Sequence, residues 1–204
     1  MSDSTDRVAP LREFVIGMTR LVERTSDEPE LIARGRELLS TLIRDDAWLP
    51  DEFAQLASDT YRQYLLYCDP LERFSVVSFV WGPGHRTPVH DHTVWGLVGQ
   101  LRGTERCTEY ECAGDAVTPT GAEHLMQVGD IDAVSPSIGD WHVVSSARQD
   151  GPSISIHVYG ANIGAVSRHM LDANGQIKPF VSGYTSAVTP NLWDRSASVR
   201  ASLA

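Results

Sequence analysis

The chain has 204 residues, and 17 Lys+Arg against 27 Asp+Glu give it a formal net charge of −10. With 42% hydrophobic and 22% charged residues it reads as one ordinary globular domain, 1–204, and not as a disordered chain. Excess acid argues against a protein that tracks nucleic-acid phosphates, and no apolar run reaches the ~20 residues of a membrane span.

The first part, 1–58, reads helical. Its polar opening, MSDSTDRVAP, has no apolar signal core. Leu11, Phe14, Val15, Met18, Leu21 and Val22 recur at steps of three and four, one stripe of a helix that Pro10 suits at its first turn. Leu31, Ile32, Leu38, Leu39, Leu42 and Ile43 form a second stripe after Pro29, weakened in the middle by Gly35. A short third helix is expected after Pro50, through Phe53 and Leu56.

From Tyr61 the pattern changes, and 61–190 reads as a β-barrel. Arg73–Trp81 is a β-rich run that ends in Gly82-Pro83-Gly84. Strands are then expected at Val94–Val98, Thr104–Tyr110, His124–Val128, Ile131–Val134, His142–Ser145 and Ile154–Tyr159. Many short strands at close spacing indicate an all-β sandwich or barrel. The last 40 residues are expected to wrap the barrel as loops and short strands, and the tail after Asn191 to fray. Cys68, Cys107 and Cys112 make an odd count without a paired spacing, which fits small packing residues in a reduced, cytoplasmic chain.

Histidine carries the chemistry. His90 and His92 stand two apart, so on a strand both imidazoles share a face and can reach one ion. Fifty residues after His92, His142 follows the turn Pro136–Gly139 and can supply a third ligand from a neighbouring strand. In Ser153–Tyr159 alternation is strict: Ser155, His157 and Tyr159 share one face, Ile154, Ile156 and Val158 the other. The three polar side chains can pass hydrogen bonds along their row. Asp91 should point away from the two ligands, while Asp130 and Asp140 read as turn residues. Trp81, Trp95 and Trp141 are candidates for pocket walls or core, and His85, His124 and His169 have no assigned partner.

These residues resemble the cupin motifs. Gly84, His90, His92 and Gly103 fall in register with the first motif, with Gly96 where its glutamate would stand. Gly129, Pro136, Gly139 and His142 follow the second, with one extra residue between Pro136 and Gly139 and Ser146 in place of its distal asparagine. The resemblance implies a cupin double-stranded β-helix, a jelly-roll barrel, with two or three N-terminal α-helices packed against it. Its site has lost the carboxylate, and three neutral imidazoles leave a divalent metal its full charge, which favours an anionic ligand such as a thiolate.

Together with Ser155, His157 and Tyr159, the three histidines look like the thiol dioxygenases among the cupins, over about Tyr61 to Arg168. That resemblance implies a mononuclear iron, Fe(2+), on His90, His92 and His142, with O2 as co-substrate and a small thiol carboxylate oxidised to its sulfinate. Animal cysteine dioxygenases carry a cysteine soon after the His-x-His, crosslinked to the active-site tyrosine. Here Thr93-Val94-Trp95-Gly96 follows, and Cys107 is on a later segment. Gln63 takes the place of their carboxylate-binding arginine, or Arg62 does if one gap is allowed. His90–Gly96 and Tyr159–His169 look like the bacterial 3-mercaptopropionate dioxygenase branch, which implies that Arg168 takes the substrate carboxylate. Cysteine and mercaptosuccinate stand as alternative substrates, and a non-catalytic metal-binding cupin as an alternative function. A monomer or weak homo-oligomer is expected.

Overall fold

The computed structural model describes residues 7–114, 116–186 and 195–203. Helix α1 spans Ala9–Arg24 with Pro10 in its first turn, and α2 spans Glu28–Leu42. The Asp27 carboxylate caps α2 by accepting from the Glu30 N–H at 3.1 Å, one of the four amides a helix start leaves unpaired. The third helix expected through Leu56 is a single 3-10 turn, Asp51–Phe53. No helix among the described residues is long and apolar enough to cross a membrane.

Ten strands follow. They are β1 (Arg62–Cys68), β2 (Ser75–Trp81), β3 (Gly96–Arg102), β4 (Glu105–Ala113), β5 (Ala116–Met126), β6 (Ile131–Val134), β7 (Trp141–Ser146), β8 (Ser153–Tyr159), β9 (Arg168–Leu171) and β10 (Ile177–Phe180). One sheet runs in the order β1-β2-β8-β3-β6 with antiparallel neighbours. The other is built from β5-β4-β7 and β10-β9. The segment 86–90 stitches its two parts together, through bridges from Arg86 to Ser145 and from His90 to both His142 and Met170. The result is mainly β, the double-stranded β-helix expected from the motifs.

The first sheet is buried on both faces, for two different reasons. Ile154, Ile156 and Val158 of β8 join Val76, Val80, Leu97 and Leu101 in one core with Phe14, Met18, Leu21, Leu39 and Leu42 of the helices. Each such side chain contributes about 1.5–3 kcal/mol on burial. Gly35 suits this packing: a Cβ there would stand 2.9 Å from Leu97 Cδ1 and make that side chain shift, so the residue that weakens α2 lets it seat closely on β3. The other face of the sheet looks into the barrel, where Leu65, Val77, Phe79, Trp81 and Tyr159 meet Val144 of the second sheet.

Some strand expectations shift. β1 follows Tyr61 directly, as the change of pattern there suggests, but its Arg62–Cys68 run was not singled out as a strand. β5 begins eight residues before the strand expected at His124, with Gln127 and Val128 beyond its end. Its sequence is polar and mostly exposed because it is an edge strand, where Pro119 leaves no ladder bond unmade that a central strand would need. Of the tail expected to fray, 191–194 lie outside the described residues, whereas Ser196–Ser202 form a helix, α3, whose Arg200 donates to Val181 O at 2.9 Å.

Candidate metal centre

His90 and His142 are placed by the backbone. They pair as antiparallel neighbours, His90 N donating to His142 O at 3.1 Å and His142 N to His90 O at 3.0 Å. His90 and His92 were expected on a strand. The structure holds them instead on an extended segment whose only ladder contacts are bridges, and alternation across that segment still turns both rings inward and Asp91 outward. Asp91 accepts from the His169 backbone at 2.6 Å and lies 2.8 Å from its Nδ1. His85 Nδ1 accepts from Gly82 N at 2.9 Å and closes the turn before the segment.

The three rings stand 4.8 to 4.9 Å apart, centroid to centroid, and their ligand atoms lie within 4.8 Å of one another. All three are buried. Burial, then the neighbouring imidazoles and Arg168, push His90 and His92 well below the ordinary histidine value. Burial also takes His142 down to about 4, against the pull of Asp140. Neutral imidazole is the form that binds a metal.

The other ring nitrogens have protein partners. His90 Nδ1 is 3.1 Å from Pro88 O, His92 Nδ1 is 2.9 Å from Asp140 Oδ1, and His142 Nδ1 is 3.5 Å from Cys107 Sγ. An imidazole held this way presents Nε2 to an ion in a fixed tautomer. The cluster therefore fits a metal by its donor chemistry. Asp140 is more than the turn residue the sequence suggested. Its carboxylate also accepts from His92 N at 3.0 Å and Thr93 N at 2.8 Å, which fixes Thr93 at a φ of 61°. That conformation is uncommon for a β-branched residue.

Gly96 explains the missing carboxylate. A Cβ there would lie 2.8 Å from the Tyr159 ring and 3.0 Å from Val134. The ring occupies the space that a fourth side chain would need, and it stacks on His92 at 5.4 Å. Ser155, His157 and Tyr159 lie in one hydrogen-bonded row: Ser155 Oγ to His157 Nε2 at 2.8 Å and His157 Nδ1 to Tyr159 Oη at 2.7 Å. Trp81 Nε1 donates to Ser155 Oγ at 3.2 Å.

At the far end of the row is Glu105, which the sequence reading missed. Alternation along β4 could have placed it inward, two residues before Cys107. It is fully buried and accepts from Ser153 Oγ at 2.9 Å and Gln100 Nε2 at 3.1 Å through Oε1, while Oε2 has no partner. Burial lifts its carboxyl from 4.5 to about 7, and Ser153, the nearby Ser155 and Gln100 offset part of that rise.

His157 and Tyr159 of the row, His90, His142, Arg168 and Gln63 line one cavity of about 430 Å³ including its open mouth. Tyr61, Phe180 and Ser182 line it too, three residues that no motif marked. Gln63 donates to Gly183 O at 2.8 Å, whereas Arg62 is turned away and pairs with Asp59 at 2.9 Å. Arg168 is fully enclosed. One Nη donates to Ser182 at 2.9 Å, its carbon lies 4.6 Å over Phe180, and Nε has no partner. No ion pair to Arg168 occurs among the described residues. Of the tryptophans, Trp81 lines the cavity, Trp95 packs in the helix-side core, and Trp141 stacks on His169. Cys68 and Cys107 are buried, but Cys112 is exposed and so is not the packing residue expected.

No family model matches the chain. Similar solved structures include a conserved protein with a double-stranded β-helix domain from Klebsiella pneumoniae, 18% identical over 59% of this chain and 86% of that one, with a TM-score of 0.45. A cupin superfamily protein from Desulfitobacterium hafniense is 11% identical over 52% and 83%, at 0.41. A cupin 2 conserved barrel domain protein from Salinispora arenicola is 21% identical over 54% and 85%, at 0.40. The fold class stands on the strand order, and the chemistry on the residues of this chain.

Two predictions follow from this geometry. Asp140→Ala frees the His92 ring to turn, so divalent-metal affinity measured by chelator competition should fall about 10- to 100-fold; unchanged affinity would remove Asp140 from the site. For Glu105, the folded state keeps a proton between pH 4.5 and about 7 that the unfolded chain releases. The stability it lends is full below 4.5 and is lost as pH rises through about 7, on the order of 3 kcal/mol in all. Glu105→Gln should therefore gain on the wild type as pH rises across that window in urea unfolding; a constant difference would contradict it.

Proposed function

We propose that the protein is a non-haem Fe(II)-dependent thiol dioxygenase, an oxidoreductase that converts a small mercapto acid, 3-mercaptopropionate first among them, to its sulfinate. The observation that carries this reading is a buried guanidinium, without a counter-ion among the described residues, in the same cavity as His90 and His142 of the three-histidine cluster. A charge taken out of water needs an opposite charge. An incoming carboxylate meets that need at Arg168, whose planar fork suits it, and the thiol of the same molecule is left near His90, His92 and His142.

Iron held by those three histidines would supply the chemistry that lets O2 react with a thiolate. The balance is simple: R–S⁻ and O2 give R–SO2⁻, with no further reductant. The residues of the chain do the positioning. Arg168 and Gln63 fix the carboxylate end, which turns a two-body encounter into a held geometry. Burial holds the Tyr159 phenol above its ordinary value, so it stays protonated and can donate. Its direction follows from the row. The Trp81 indole N–H can only donate, so Ser155 Oγ accepts it and can give its own hydrogen to His157 Nε2. In that arrangement His157 carries its proton on Nδ1 and donates to the Tyr159 oxygen, which leaves the phenolic O–H for the cavity. Phe79 stacks on His157 at 4.1 Å and holds the ring in that plane.

The test is direct. Protein purified anaerobically with Fe(II) should consume O2 on addition of 3-mercaptopropionate and form one sulfinate per O2. Iron bound with no turnover of 3-mercaptopropionate, cysteine or mercaptosuccinate would overturn the proposal and leave a metal-binding cupin without this activity. Arg168→Ala should lower kcat/KM for carboxylate-bearing thiols by about 10- to 100-fold, the worth of a charge-assisted contact, and change cysteamine far less. Equal losses would take the carboxylate away from Arg168.

A further inference from the structure

Behind His142, on the side away from the cavity, Cys107, His124 and Asp132 bring one sulfur, one nitrogen and one oxygen within 4.8 Å of one another. Cys107 and His124 are cross-strand partners on β4 and β5, and Asp132 comes from β6 of the other sheet. The group thus closes the seam between the sheets. It borders a separate pocket of about 540 Å³ including its open mouth, which Glu109 and Asp140 also line. His124 Nε2 lies 2.6 Å from Asp132 Oδ2, and its Nδ1 lies 4.0 Å from Glu109 Oε1.

We propose that Cys107, His124 and Asp132 form a second metal site, for a borderline transition ion such as Zn2+, with Glu109 in reach as a fourth ligand. The mixed S, N and O donors suit zinc in a four-coordinate site and do not suit Mg2+ or Ca2+, which take oxygen ligands. The ion would take the place of the direct His124–Asp132 contact. A bound cation would deprotonate the coordinating Cys107 thiol. Because Cys107 Sγ also lies 3.5 Å from His142 Nδ1, the two sites share one flank of His142.

Metal counting tests this without reference to any activity. Metal-free, reduced protein equilibrated with Zn2+ and freed of excess should hold two equivalents. Cys107→Ser and His124→Gln should each hold one, and Cys112→Ser, which alters the exposed thiol, should hold two. Co2+ in place of Zn2+ should give a thiolate-to-metal absorption band that Cys107→Ser abolishes. His124 is half-exposed, so its variant should fold as the wild type does, and circular dichroism checks that. Should the wild type hold a single equivalent, or should the second survive both Cys107→Ser and His124→Gln, the site does not exist. Loss of the second equivalent in Cys112→Ser would equally refute it by placing the ion elsewhere.

Discussion

The backbone pairing of His90 with His142 is the constraint on which the rest of the structure depends. Two hydrogen bonds hold a loop residue to a strand residue, and the same loop residue bridges to Met170 on its other side. This single extended segment completes the second sheet, joins β7 to β9, and sets two imidazoles side by side. His92 is held from the partner side by Asp140, one residue before Trp141, which also accepts from Thr93 N at the sharp turn that follows. Ladder, turn and ligand orientation are thus one arrangement. Burial and mutual crowding in this arrangement favour the neutral form of the three imidazoles.

The second organising element is β8, which works on both faces. Ile154, Ile156 and Val158 carry the helices, while Ser155, His157 and Tyr159 carry the chemistry. Every one of its seven residues is buried, as is usual for a strand covered on both sides. The helices therefore matter to the site without touching it: they bury the face whose packing sets the register of the polar row. Gly35 and Gly96 act as a pair across this sheet, one letting α2 approach and the other letting Tyr159 lie flat against β3.

Much of this was legible in the sequence, because it rests on period and spacing. The helical stripes, the strict alternation of β8, and the two-residue step from His90 to His92 are local patterns. What was not legible depends on partners distant in sequence. Asp140 looks like any aspartate before a strand, and only the fold brings it 48 residues back to His92. Glu105 and Cys107 alternate inward along β4, yet nothing in their own segment says that Ser153 or His124 will face them. The first eight residues of β5 escaped because an exposed edge strand needs no apolar alternation. Arg62 and Gln63 were one gap apart in the sequence, and strand alternation separates them: one side chain enters the cavity, the other meets Asp59.

The row from Tyr159 to Glu105 shows why a buried carboxyl belongs at its end. Ser155 has one hydrogen to give and two places to give it, His157 Nε2 or the neighbouring carboxyl. A neutral Glu105 makes no strong claim on that hydrogen, so it goes to His157, and the Tyr159 O–H faces the cavity. An ionised Glu105 claims it more strongly, since a charge-assisted bond is about twice as strong as a neutral one. His157 would then donate through Nε2, accept the Tyr159 hydrogen at Nδ1, and leave only the phenolic oxygen toward the cavity. Burial lifts the Glu105 carboxyl to about 7 and so favours the neutral form over most of the acid range. In the proposed reading, a neutral Glu105 leaves the Ser155 hydrogen for His157 and so favours a Tyr159 O–H directed into the cavity.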